Sequence, residues 1–194
     1  FVLSGQVTDE NAEEIARFIQ LSGFSALLCE ISNGKRLEKY FDSDGFSVYV
    51  SNIMKYSPKE RLPSSEGTLT KNPPLDEVFR IVSRAFELDY ESWYVDASHR
   101  LRHGVSDYYT FSGVSTVVCA FDIRDRVFLS QVATVPSERG KGSATKMLGL
   151  LCSELTSEGK EISLICLDQR LEFYKKAGFV PIGKAWNIKR SIRK

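Results

Sequence analysis

The spacing of apolar residues along this chain alternates between the period of a strand and that of a helix. "FVLSG" opens it as a strand. Ala12, Ile15, Ala16 and Ile19 then share one helix face, with Asp9 placed to cap its start. "FSALLCEI" reads as a buried strand, "GKRLEKYF" as a short helix and "GFSVYVSNIMKY" as a further strand. Such alternation predicts a small α/β module over residues 1–56. No catalytic constellation is visible in it, so packing or dimerisation is its expected role.

Residues 57–74, "SPKERLPSSEGTLTKNPP", lose the apolar period and are rich in Pro, Ser, Thr and Lys, which predicts a linker. Beyond it, Leu75, Val78, Val82 and Phe86 recur at helical spacing. "YYTFSGVSTVVCAFDIRDRVFLSQVATV" holds three strands' worth of β-branched and aromatic residues, with turns at "SGVS" and "DIRD". A helix from about Ser143 has Ala144, Met147, Leu148, Leu151 and Leu155 on its apolar face. "EISLICL" reads as a buried strand, "RLEFYKKAG" as a short helix closed by Gly178, and "FVPIGKAWNIKRSI" as a final hairpin or strand pair. The expected class is α/β (α+β), a mixed and mostly antiparallel sheet flanked by helices over 75–194.

The candidate chemistry sits where the third of those strands meets the long helix. Gly140 and Gly142 permit positive φ and let backbone approach a ligand closely. The N–H groups of Gly140, Gly142, Ser143 and Ala144 would share one concavity at the positive end of a helix dipole, a natural seat for phosphate. Arg139 and Lys141 add positive charge. The loop fails the P-loop pattern, because Gly142 is followed by Ser143 and not Lys. It also fails G-x-G-x-x-G, because Thr145 stands where the third glycine belongs. An ordinary strand–loop–helix turn is the plainer alternative.

Composition narrows the field. With 42 % apolar and 26 % charged residues in 194, the chain has an ordinary globular balance. A net charge of +1 gives no reason to expect nucleic acid or an anionic membrane. No apolar run is long enough to span a bilayer and no signal-peptide pattern is present, so a cytoplasmic location is expected. Phe1 stands where Met would begin a chain, so sequence upstream is expected. Cys29, Cys119, Cys152 and Cys166 are scattered among apolar neighbours, which predicts buried reduced thiols.

The arrangement over 75–194 resembles the GNAT superfamily of N-acetyltransferases. That family's Q/R-x-x-G-x-G/A signature is met by Arg139, Gly142 and Ala144. "VATVP" resembles the strand before it, and "FYKKAGF" the tyrosine-bearing helix that ends in a Gly-Phe step. Residues 1–56 resemble, more distantly, the partial extra module of some bacterial members. The resemblance implies acetyl-CoA, or another acyl-CoA, as co-substrate. Its pyrophosphate would lie on Arg139, Gly140, Lys141, Gly142, Ser143 and Ala144, and its pantetheine arm along Val132, Ala133 and Thr134. In such folds two strands splay apart at this point. A primary amine of a small molecule or peptide would attack the thioester, and Tyr174 would protonate the departing thiolate. The general base is unassigned, for the strand offers Ser130 and Gln131 where many members have Glu. Asp168, Gln169 and Arg170 stand where many have Asn. A coenzyme A-binding regulatory or assembly protein without catalysis is the alternative. No metal is expected, and a homodimer is compatible with the reading.

"SWYVDASHRLRHG", residues 92–104, holds both histidines of the chain. On a helix, Tyr94, Ala97, Leu101 and Val105 would form one face, and Asp96, His99, Arg100 and His103 another. His99 and His103 have zinc-helix spacing, but Arg100 follows His99 and no third ligand is evident beyond Asp96. Two readings stay open. In one, the helix is structural, with Asp96 pairing Arg100 and Trp93 in the core. In the other it walls the acceptor pocket, and Trp93, His99, Arg102 and His103 meet the substrate.

Overall fold

A computed structural model of the chain describes residues 2–3, 5–24, 26–41, 45–58 and 67–190. Phe1, the middle of the expected linker at 59–66 and the final 191–194 lie outside the described residues. The chain forms two compact units. The first comprises residues up to Ile53 with 166–171 and 182 onward, and the second comprises 54–165 and 172–181.

In the first unit, β1 (Val2–Leu3) runs parallel to β2 (Ala26–Glu30), and β2 pairs antiparallel with β9 (Phe179–Arg190), from Ala26↔Lys189 to Glu30↔Ala185. The helix α1 (Ala12–Leu21) buries Ala12, Ala16 and Ile19, as its apolar spacing predicts. Its N-cap is Asn11 and not Asp9. Asn11 Oδ1 accepts from Thr8 N at 2.8 Å, while the exposed Asp9 lies 3.6 Å from Arg36 Nε. The second helix, α2 (Ile31–Leu37), contains Gly34 because Trp186 lies against it. A Cβ there would meet Trp186 Cγ at 2.1 Å. The core gathers Phe24, Leu27, Leu37, Phe41, Trp186 and Ile188 with the buried face of α1. The last strand, β9, is one 12-residue strand where a hairpin was expected. β3 (Phe46–Tyr56) completes the nine strands among the described residues.

In the second unit β4 (Leu69–Lys71), β5 (Asp107–Phe111), β6 (Ser115–Ile123), β7 (Arg126–Thr134) and β8 (Glu161–Cys166) lie in that order. All neighbours are antiparallel except β7 and β8, which are parallel. Leu69–Lys71, inside the stretch expected as linker, thus adds an edge strand to β5. The parallel step needs a crossover, supplied by α5 (Ser143–Ser157), which buries Met147, Leu148, Leu151, Cys152 and Leu155. The helices α3 (Leu75–Val82) and α4 (Tyr90–Arg102) share a core with Tyr108 and Val118. Phe86, expected on the face of α3, lies beyond its end and is exposed. α6 (Leu171–Lys176) follows β8. The architecture is a mixed, mostly antiparallel α/β fold. Among the described residues no helix is long and apolar enough to cross a membrane.

Candidate acyl-CoA site

The site begins where the sheet stops being regular. β7 pairs with β8 from Arg126↔Glu161 to Leu129↔Leu164 and no further, although β7 continues to Thr134. On its other side β7 stays paired with β6, through Ala133↔Thr116 and Thr134↔Ser115. Residues 130–134 therefore have one paired edge and one edge without a β8 partner. The pairing to β6 also slips: three residues on β6, from Thr116 to Val118, face four on β7, from Ser130 to Ala133. This extra residue is a β-bulge, which bends and twists the strand that carries it. Gln131 stands in the bulge at φ +49°, a left-handed conformation that non-glycine residues seldom adopt. Its side-chain Oε1 accepts a hydrogen bond from Trp93 Nε1 at 3.2 Å.

The chain leaves the open edge through a short 3-10 turn, Pro136–Glu138, and reaches α5 at Ser143. Gly140 and Gly142 have φ of +79° and +81°, so both glycines are required by the turn. No atom lies within 4 Å of where a Cβ would stand on either, so the loop is open on that side. Gly142 is the N-cap, no side chain caps the helix, and no acidic residue lies in its first turn. The opening N–H groups of a helix have no intrahelical acceptor. They stay available here at the positive end of a 15-residue helix.

Arg139 and Lys141, expected to add positive charge, also make local bonds. Arg139 donates from Nε to the Thr134 carbonyl at 3.1 Å and from Nη2 to the Arg84 carbonyl at 3.0 Å. It ties the loop to the end of β7 and to the turn after α3. Lys141 Nζ lies 3.0 Å from Glu138 Oε1. The backbone of the loop, more than its cations, is therefore the candidate feature for an anion.

Tyr174 lies on α6, half-buried, with its ring 4.9 Å from Phe173 and 5.8 Å from Phe179 between centroids. Both elements that frame the loop and the one that carries Tyr174 belong to the second unit. Asp168, in the first unit, accepts from the buried Asn52 Nδ2 at 2.7 Å.

Residues 92–102 are helical, and Trp93 lies in the core as the structural reading has it, although the face through Tyr94 and Val105 does not. Trp93 and Ala97 are buried, while Tyr94 and Val105 are exposed. Trp93 packs with Phe79 and Tyr108. The polar residues bond mostly within the helix. Asp89 caps it through Ser92 N at 2.9 Å, and Arg100 Nε meets Asp96 at 3.0 Å. Arg102 Nε donates to the Ser98 carbonyl at 3.2 Å, and His103 Nδ1 lies 2.8 Å from the His99 carbonyl. The two imidazole centroids lie 4.2 Å apart with the rings tilted by 31°. Among the described residues no group of three or more His, Cys, Asp and Glu side chains is placed to hold a metal ion.

No known family model matches the sequence, and no curated protein matches it. Solved structures do match the fold. A GCN5-related N-acetyltransferase from Kribbella flavida is similar at 12 % identity and TM-score 0.66, over 100 % of this chain and 79 % of that one. This chain has the GNAT fold. A GCN5-related N-acetyltransferase-like protein from Streptococcus suis is similar at 13 % identity and TM-score 0.63, over 98 % of this chain and 78 % of that one. A functionally unknown conserved protein from Staphylococcus epidermidis is similar at 11 % identity and TM-score 0.65, over 98 % and 84 %. At these identities the likeness concerns architecture, and any activity has to be argued from the site.

The sequence pointed to the glycine loop and to the end of β7. It did not reveal the Trp93–Gln131 bond, the bulge or the Arg84 carbonyl. "SQVAT" contains no glycine to mark the irregularity.

Proposed function

We propose that this protein is an acyl-CoA-dependent N-acyltransferase that transfers an acetyl or related acyl group to a primary amine. The observation that carries the reading is the conjunction at one end of β7: a bulged strand with an edge lacking its β8 partner, followed by a glycine turn that opens an uncapped helix. The residues fit the group. The open edge offers backbone groups to the two amides of an extended pantetheine chain. The loop offers backbone N–H groups to a pyrophosphate.

Acyl-CoA, when bound, supplies the activated thioester. The chain's own residues would do the rest. Gly140, Gly142, Ser143 and Ala144 hold the pyrophosphate through backbone N–H groups. Arg139 holds the loop in place through the Thr134 and Arg84 carbonyls. Val132, Ala133 and Thr134 align the extended arm, and a strand N–H stabilises the charge that develops on the carbonyl oxygen. Tyr174 gives its phenolic proton to the leaving sulfur. Gln131 is not a base, since a carboxamide is neutral and non-basic, and its oxygen accepts from an indole N–H. The amine loses its proton to water or to a group off β7.

The absence of a carboxylate at the bulge favours a second reading, a coenzyme A-binding regulatory or assembly protein without turnover. Calorimetric titration with coenzyme A tests what the two share. Binding is expected for the wild type and should be weakened by Gly142→Val. Wild-type protein without measurable heat of binding would overturn both.

A further inference from the structure

We infer that Trp93, acting through Gln131, is a positioning group that holds β7 in its bulged form and so keeps the pantetheine edge open. This rests on the acyl-CoA reading above and names a device for it. Gln131 is held at φ +49° in the middle of a strand, and such a conformation persists only where the surroundings impose it. The tether in view is the indole of Trp93, 3.2 Å from Gln131 Oε1. An indole nitrogen only donates, so chemistry fixes the carboxamide's orientation. The oxygen faces Trp93, and the NH₂ faces away with two donors.

The anchor itself is rigid. Trp93 is 8 % exposed and packs with Leu75, Val78, Val82, Ala97, Tyr108 and Val118. Its helix is capped one turn earlier by Asp89. Thus a buried ring fixes a carboxamide, and the carboxamide fixes one backbone residue beside Val132, Ala133 and Thr134. If the tether is lost, β7 can relax toward a regular strand. The side chains beyond Gln131 would then change face, since strand side chains alternate with a period of two. The simpler account is that the bond merely satisfies a buried indole. That account gives no reason for ligand affinity to follow the bond.

Four variants separate the two accounts: Trp93→Phe, Gln131→Leu, the double change, and Gln131→Glu, which keeps an acceptor for the indole. Coenzyme A affinity and melting temperature are measured for each. Losing one hydrogen bond should weaken coenzyme A binding about fivefold in either single variant. The double variant should be no worse than either single, because both remove the same bond. Gln131→Glu should stay within about twofold of wild type. Should Trp93→Phe fail to fold, Gln131→Leu reads the same bond from a half-buried position. Wild-type binding with unchanged affinity in Gln131→Leu, or with penalties that multiply in the double variant, would overturn the inference and leave the acyl-CoA reading standing. Wild-type protein that binds no coenzyme A would overturn that reading, and the positioning role with it.

Discussion

The loop 139–144 and the helix segment 92–104 teach opposite lessons about where a site lies. The helix segment has two histidines, two arginines, an aspartate and a tryptophan, while the loop has two glycines and two cations. Yet the helix turns most of its chemistry on itself, through Asp96–Arg100, Arg102 to the Ser98 carbonyl, and His103 against His99. The loop's two cations are likewise engaged, but it opens a helix whose first N–H groups have no intrahelical acceptor. Side-chain richness marks a residue's capacity for chemistry. A site needs groups whose capacity has been left unused, and the candidates here are main-chain groups at a bulged edge and a helix start.

That contrast can be broken by mutation. The largest expected effect is at Tyr174. Tyr174→Phe should lower kcat by about 100-fold, the scale of losing a general acid, while coenzyme A affinity stays within about twofold. Equal turnover in the two proteins would remove the tyrosine from the mechanism. Next is Gly142→Val, which forces a β-branched residue to φ +81° at the helix start. The strain is about 1–2 kcal/mol, so coenzyme A binding should weaken on the order of tenfold, read by calorimetry. Full affinity in this variant would mean that the loop is not the phosphate seat.

Arg139→Ala removes two bonds to backbone carbonyls and should weaken binding about three- to tenfold by loosening the loop. If Arg139 instead met the phosphates directly, the loss would grow steeply as salt is lowered, a pattern that calorimetry at two ionic strengths distinguishes. The helix side should respond least. His99→Ala, Arg102→Ala and His103→Ala should each change acceptor KM by less than about twofold, as expected for exposed groups bonded locally. A much larger rise in KM at unchanged melting temperature would restore the acceptor-wall reading.

The scaffold beneath both regions carries a separate pH signature. Burial pushes Cys119, Tyr108 and Tyr109 up to about 12. Unfolding would return them to ordinary values near 9 and 10. Raised native values mean that the unfolded state gives up protons first, so their contribution is whole below about pH 9 and declines between there and pH 12. Urea midpoints should hold steady from pH 7 to 8.5 and fall at pH 10. A midpoint that rises over that interval would contradict the assignment.

What could be read without coordinates follows the range of the interactions involved. The glycine turn and the helix after it are written locally, in Gly140, Gly142 and the apolar face from Met147 to Leu155. The burial of Ala12, Ala16 and Ile19 is likewise a matter of period. The strand β4 escaped notice because it has three residues and a partner about forty positions away. The final strand was split by Pro181 and Gly183, which usually interrupt strands, yet both lie in an exposed part of β9. On the 92–104 helix Trp93 and Tyr94 are equal candidates by spacing, and contact with Phe79 and Tyr108 buries Trp93. The Trp93–Gln131 bond at the bulge spans 38 positions, and no local pattern encodes that.

The most direct measurement is release of free coenzyme A thiol from acetyl-CoA, followed across a panel of primary amines. Thiol should appear faster than background hydrolysis with at least one amine, and Tyr174→Phe should suppress that excess. Thiol release that never exceeds hydrolysis with any amine, in protein that binds coenzyme A, would contradict catalysis and leave a binding protein in its place.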